Sequence, residues 1–376
     1  MGNSRRHEVN AGHVFSQPPL RERRKPATEP ISGSGLGTNP KKGAMVGMNY
    51  LFKSQTAGQQ RNATFEAVRR MPVCTGHAAR AAVLAAMLAT VASAASAEES
   101  IFAFVYTTDL LPQGKSEVEQ WMTWRHQKNG GTYDQIEGRT EYEYGLASNL
   151  QGAIYLNYAW TQAYHNGPFN ATTPPEQFAD YNAGPDDFFN AKRFTGVSGE
   201  LIYRILSPYT DGIGLALYTE PTIGKNFFEL ENKVILQKNF FDDLLTIAVN
   251  FTYAPEYRNV PSDDNPTVLN WQEETDVNFG IGVSYRFIEN WSAGFEFLNE
   301  REYNSFDFSH MSNSGYYLGP TIHFGGERFF FTATALWQMP WASVHTDTVP
   351  GTLVNHLVLD NDFERFRFRF KAGYTF

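Results

Sequence analysis

The stretch that decides the fold is the end of the chain, Glu364-Arg-Phe-Arg-Phe-Arg-Phe-Lys-Ala-Gly-Tyr-Thr-Phe376, where aromatic and polar residues alternate without a break. A β-strand sends successive side chains to opposite faces. Phe366, Phe368, Phe370, Tyr374 and Phe376 therefore share one side, and Arg365, Arg367, Arg369 and Lys371 the other. One face seeks an apolar medium and the other water. In a soluble protein the aromatic face would pack on a core, yet the same alternation recurs along the chain and no amphipathic helix is left to cover those faces. The pattern predicts an all-β protein, a transmembrane antiparallel up-and-down β-barrel.

Composition agrees. The chain is 42% hydrophobic and 15% aromatic, with a mean hydropathy of -0.40. That is too polar for a helical membrane protein and too aromatic for an ordinary soluble one. The single cysteine, Cys74, precedes the barrel, so a disulfide framework or cysteine-based metal site there is excluded. Residues 1–70 carry Arg5, Arg6, Arg21, Arg23, Arg24 and Lys25 amid Pro, Gly and Ser, lack apolar periodicity and read as disordered, with Met71 as the expected true start. Residues 71–97 read as a secretory signal, with a short apolar run, Ala81 to Ala92, closing in Ala95-Ser96-Ala97. Residues 98–114 are then expected as a periplasmic N-terminal segment and 115–376 as the barrel. The first 97 residues hold 13 of the 31 basic and 4 of the 40 acidic residues, which leaves 18 basic against 36 acidic and a net charge of -18 beyond them. Much of that acid falls in loops, including Asp180, Asp186, Asp263, Asp264, Asp347 and Asp360. It reads as solubility and cation bridging at an anionic cell surface; no dedicated metal site is expected. Nucleic acid is excluded as a partner of an exported barrel.

A period-two template finds about twelve segments of roughly ten or more residues, the length a tilted spanning strand needs. The clearest sets Ile136, Gly138, Thr140, Tyr142, Tyr144 and Leu146 against Glu137, Arg139, Glu141 and Glu143, and a tight turn at 147–149 leads into the next. Further strands are placed near 116–126, 194–206, 212–223, 227–238, 244–254, 276–287, from Trp291, and near 315–324, 329–338 and 364–376. Connections near 147–149, 207–211, 239–243, 288–290 and 325–328 are short. Those near 165–191, 255–270, 302–314 and 339–362 are long, with a short exception at 224–226. Barrels of the outer membrane have short periplasmic turns and longer external loops, so both termini are expected in the periplasm.

By parity Glu117, Glu119, Glu137, Arg139, Glu141 and Glu143 face the lumen opposite the row Arg365 to Lys371, and closure brings Glu117 and Glu119 toward Arg369 and Lys371. The row supports two readings: a selectivity element that draws small anionic solutes through the pore, or ion pairs that zip the barrel shut. The expected function is a small channel for hydrophilic, in particular anionic, solutes. A non-conducting surface barrel whose loops bind a partner is kept as an alternative.

Resemblances sharpen this. A last strand ending in Phe376 with Tyr374 two residues before it resembles the assembly signal of bacterial outer-membrane barrels, which implies the barrel-assembly machinery and outer-membrane lipid and lipopolysaccharide as partners. His310-Met311-Ser312-Asn313 resembles the H-x-S-N element of outer-membrane phospholipase A and of the lipid A deacylases, which implies a lipid-acting serine hydrolase with Ser312 as nucleophile and His310 as base. Those families carry an Asn or acidic residue about a dozen positions beyond the Ser, where this chain has Phe324, so the enzyme is the lesser reading. Thr108-Asp-Leu-Leu-Pro-Gln-Gly-Lys115, Glu117-Val-Glu-Gln-Trp121, Arg139-Thr-Glu-Tyr-Glu-Tyr-Gly145 and Leu318-Gly-Pro-Thr-Ile-His323 resemble a group of uncharacterised outer-membrane barrel proteins of Gram-negative bacteria, which implies fold and location without a substrate. No phosphate-binding glycine loop, zinc-ligand spacing or nucleotide fingerprint is present beyond the signal, so no cofactor is expected.

Overall fold

The computed structural model describes residues 101–181, 183–261, 268–343 and 351–376. The expected disordered stretch 1–70, the expected signal 71–97 and loop acids Asp263, Asp264 and Asp347 lie outside the described residues. Twelve strands close into one antiparallel barrel: β1 (Ser116–His126), β2 (Thr132–Ala147), β3 (Leu150–Tyr164), β4 (Phe189–Leu206), β5 (Gly214–Gly224), β6 (Phe227–Phe240), β7 (Leu245–Pro261), β8 (Leu269–Ile288), β9 (Trp291–Tyr303), β10 (Met311–Gly325), β11 (Phe329–Gln338) and β14 (Phe366–Thr375). A small hairpin, β12 (Thr352–Val354) and β13 (Leu357–Leu359), lies in the connection before β14. Neighbours in sequence are neighbours in the sheet, and β1 pairs with β14 from Glu117↔Thr375 to His126↔Phe366 to seal the cylinder.

Most strands run past what the hydrocarbon needs, roughly ten residues for a tilted strand. β7 and β8, of 17 and 20 residues, continue the ladder to Pro261↔Leu269. The long connection expected over 255–270 is therefore partly strand, since the β7–β8 ladder runs on to Pro261↔Leu269 and Arg258 pairs across it with Glu274 at 3.5 Å. The barrel has a short-turn end, where β2 meets β3 and β8 meets β9, and a long-loop end at 165–188 and 339–365. Phe376 N–H donates to Ser116 O at 2.8 Å, so the chain's last residue and the start of β1 share the short-turn end.

The faces sort by parity. Ile154 is 60% exposed on the outside while its neighbour Tyr155 is 0% exposed on the inside. Leu156, Tyr142, Ile223, Phe251 and Phe295 carry the apolar exterior, and Trp271, Trp337, Trp341 and Tyr164 are exposed toward the strand ends as interfacial anchors. No described helix is long and apolar enough to cross a membrane. Closure leaves no open sheet edge, so the ladders between neighbouring strands supply the backbone pairing that lipid demands. An apolar exterior around a polar interior is how an antiparallel sheet lives in lipid, and the protein is a transmembrane β-barrel.

Candidate functional site

The lumen is built from the inward half of each strand, and the predicted charged residues separate there into distinct roles. Glu117 and Glu119 face inward and are buried; Glu119 lies 3.4 Å from Lys371 Nζ and Glu117 accepts from Thr375 Oγ1 at 2.5 Å. Arg369 is not beside them, since the seam register sets it opposite Thr123. Arg367 grips Glu300 with two bonds of 2.6 and 2.8 Å and also pairs with Glu364. Arg365 precedes β14 and ties the last connection down through Asp360 O at 2.9 Å and through Gln338 and Asn361. The row of four cations thus divides: Arg365 anchors a loop, and Arg367 and Lys371 pair with carboxylates. The fourth, Arg369, donates to Thr123 Oγ1 at 2.8 Å and Ala103 O at 3.1 Å, stacks 4.0 Å from Phe104, and meets no carboxylate within ion-pair distance among the described residues.

On β2, Arg139 bonds Glu220 at 3.0 Å and Asn157 Oδ1 at 3.0 Å, with its guanidinium over Tyr155 at 4.3 Å and Trp121 at 5.3 Å. Glu143 accepts from Gln151 Nε2 at 2.6 Å, and Glu141 is buried with neither carboxylate oxygen hydrogen-bonded. Trp121 gathers Arg139, Arg369 and Lys371 around one indole. Sequence reasoning did not single it out, although its offset of two from Glu119 points it inward.

The largest departure concerns the segment before β1. Expected as a periplasmic arm, residues 101–113 instead run through the barrel interior. Glu296, fully buried on β9, accepts three successive backbone N–H groups, from Ala103 at 2.9 Å, Phe104 at 2.8 Å and Val105 at 2.9 Å. Asn250 accepts Tyr106 N–H at 2.6 Å, Gln237 accepts Thr108 N–H at 2.7 Å, and Gln151 accepts Leu111 N–H at 2.7 Å. These supports sit on β9, β7, β6 and β3, so the segment crosses the cylinder. A chain without a strand partner must satisfy its donors somewhere, and inward polar side chains do so. Phe102 and Val105 pack with Ala248, Leu298, Tyr317, Leu336 and Phe363, the last from the connection before β14. Gly282 makes the room: a Cβ there would stand 2.7 Å from the Phe102 ring.

Above the segment are two adjoining polar chambers. The inner, of about 340 Å³, is lined by Phe104, Tyr106, Trp121, Arg139, Arg369 and Lys233 among others. The outer, of about 380 Å³, lies toward the long-loop end between Lys128, Tyr133, Gln177 and the acids Asp276, Glu302 and Asp362. Arg125, Glu137 and Glu300 line both. The 165–188 connection folds over this mouth. Phe178 is buried against Tyr133, Ala159, Ala163 and Phe189, and Gln177 meets Gln135 at 3.3 Å. Asp180 bonds Arg193 and, at 2.5 Å, Lys225. Slight burial pushes the Asp180 carboxyl up, but hydrogen bonds and charge from Arg193 and Lys225 outweigh it and bring it down to about 2.

The hydrolase reading gains no support from the local geometry. Ser312 Oγ donates to Glu302 O at 3.1 Å beside a register shift between Met311 and Asn313, Asn313 Nδ2 bonds Glu302 and Asp362, and His310 is exposed in the preceding loop. The bulge breaks the i, i+2 alignment on which a shared face depended. Tyr374 and Phe376 are exposed on the outer face at the seam, rings 5.2 Å apart.

Solved structures similar to this chain include an outer membrane channel from Pseudomonas putida F1, at 8% identity over 71% of this chain and 97% of that one with a TM-score of 0.45. The β-domain of a Bordetella autotransporter is similar at 12% identity over 70% and 100%, TM-score 0.42. A Pseudomonas aeruginosa FadL homologue is similar at 8% over 72% and 95%, TM-score 0.38. No curated protein matches the sequence. A family model matches residues 94–376, and the chain belongs to that family, the family of unknown function DUF6662.

Proposed function

We propose that the barrel is a small outer-membrane channel for hydrophilic, anionic solutes, held shut at its short-turn end by residues 101–113. The observation that carries this reading is the inner chamber, whose floor is the segment and whose wall presents Arg369 with hydrogen bonds to a hydroxyl and a carbonyl but no described carboxylate. A guanidinium left uncompensated in a narrow polar space attracts anions. The reading takes residues 71–97 as the export signal, the short turns as periplasmic and the long loops as external. Tyr374 and Phe376 then serve as the signal for barrel assembly. The internal segment also favours a second reading, a barrel that binds its solute or partner at the outer chamber and never conducts.

Planar-bilayer recording separates the two. The channel reading expects rare openings of the refolded parent, a steady conductance once residues 101–111 are deleted, and an anion-preferring reversal potential that Arg369→Gln moves toward zero. A closed barrel after the deletion establishes the binding reading, and cation preference in the opened pore removes the role given to Arg369.

A further inference from the structure

Charged side chains on the wall of the inner chamber pair off almost completely. Arg125 bonds Glu137 at 2.8 Å, Arg367 bonds Glu300 at 2.6 Å, Arg139 bonds Glu220 at 3.0 Å, and Lys233 pairs with Glu231. Two lining residues stay outside this pairing. Arg369 gives Nε to Thr123 and Nη1 to Ala103 O, and its Nη2 has no hydrogen-bond partner among the described residues. Glu229, on β6, has neither a hydrogen bond nor an ion pair among them. Lys233, further along the same strand, is taken by Glu231, and Arg258, across the β6–β7 ladder, by Glu256 and Glu274.

Topology sets these two groups against each other. β14 and β6 are six strands apart in either direction around the twelve, so Arg369 and Glu229 reach the chamber from opposite walls. A charged end of a solute gives up water at little cost only where its counter-charge waits, so facing walls of opposite sign select a solute that carries both signs. The span between the walls sets its length. Twelve strands about 4.8 Å apart and tilted about 40° close at a backbone diameter of about 24 Å. Extended arginine and glutamate arms take about half of that, and a charge-assisted bond of about 2.8 Å at each end leaves about 6 Å. An extended dipeptide, at about 3.3–3.6 Å per residue, holds its ammonium and carboxylate about that far apart, whereas a single amino acid is too short. Phe104 and Tyr106 of the internal segment line the same chamber and offer apolar faces to the middle of such a chain.

We infer that the inner chamber binds a short zwitterionic peptide, its carboxylate on Arg369 and its ammonium on Glu229. The inference rests on the reading of Arg369 as the anion acceptor and adds the cation acceptor opposite it. Entry is from the long-loop end through the outer chamber, which shares Arg125, Glu137 and Glu300 with the inner one.

The test uses the full chain refolded in detergent, its folding checked by heat-dependent gel mobility. Alanyl-alanine is titrated by calorimetry beside N-acetyl-alanyl-alanine, which keeps only the carboxylate, and alanyl-alanine amide, which keeps only the ammonium. The inference expects one alanyl-alanine per chain, bound about tenfold or more tighter than either blocked form. Glu229→Gln should weaken alanyl-alanine by about tenfold and leave the acetylated form unchanged, whereas Arg369→Gln should weaken both. No heat from alanyl-alanine, a blocked form that binds the parent equally well, or an unchanged alanyl-alanine affinity in folded Glu229→Gln overturns the inference. Equal binding of alanyl-alanine and its acetylated form, with both lost in Arg369→Gln, removes the peptide and keeps Arg369 as an anion acceptor; the reversal potential judges the channel reading on its own, so the two fail separately. If a variant does not fold, the three peptides on the parent decide alone.

Discussion

Replacing Glu296 by alanine removes the acceptor of three consecutive N–H groups of residues 103–105 and should release the internal segment while sparing the barrel ladder. Hydrogen bonds to a charged acceptor are worth about 1.5–3 kcal/mol each, so the three together set an upper range of about 4.5–9 kcal/mol. Polar chambers adjoin the segment, and water entering the vacated space would satisfy part of that demand. A net shift of about 3 kcal/mol toward the released state is therefore the reasoned figure, roughly a hundredfold in its population. Thr334 keeps its bond to Thr321 at 2.7 Å after the change, so the wall stays satisfied. Single-channel recording of refolded Glu296→Ala should show an open probability about a hundredfold above the parent. Glu296→Gln, which keeps the volume and one acceptor, should fall between. Parent-like openings from a folded Glu296→Ala barrel would refute the argument that this carboxylate holds the segment in place.

Other consequences follow from single contacts. Gly282→Val puts a branched side chain where the Phe102 ring lies, so the segment should be displaced from within and conductance should rise without loss of any charged group. Deleting Phe376 removes the last outward ring and its backbone bond to Ser116 O, and should reduce insertion of the barrel into membranes, read as the folded fraction in cell envelopes, with little effect on detergent refolding. The Asp180 carboxyl, depressed to about 2, stabilises the 165–188 loop wherever pH exceeds its ordinary value near 3.8, and that contribution is lost as pH falls through about 2. Amide exchange in the loop, corrected for its intrinsic rate, should thus show constant protection from pH 7 to about 5 and weaken below it; a transition near neutrality would show that another group holds the loop.

How far the sequence reaches is visible in particular residues. Period-two alternation is a local property of the backbone, so facing could be read at Glu119, Tyr155 and Arg367, and strand ends at 126, 206 and 338 fall where the alternation stops. Pairing partners needed the register. Arg369 misses Glu117 and Glu119 because the register places it at Thr123, four residues beyond Glu119, and Ser312 loses its face to a bulge that leaves no mark in the alternation. Alternation places the end of β7 near 254 and the start of β8 near 276, whereas the pairing of the two strands continues to Pro261↔Leu269.

The sequence alone determined a closed, lipid-facing barrel with a charged lumen, since alternation dictates which side chains point to lipid and which to water. Only the tertiary structure decided what fills that lumen. Residues 101–113 have no periodic pattern to reveal their place, because their donors are met by side chains from 40 to 193 positions away, from Gln151 to Glu296. Such supports exist only once the cylinder has closed and brought distant strands around a common interior.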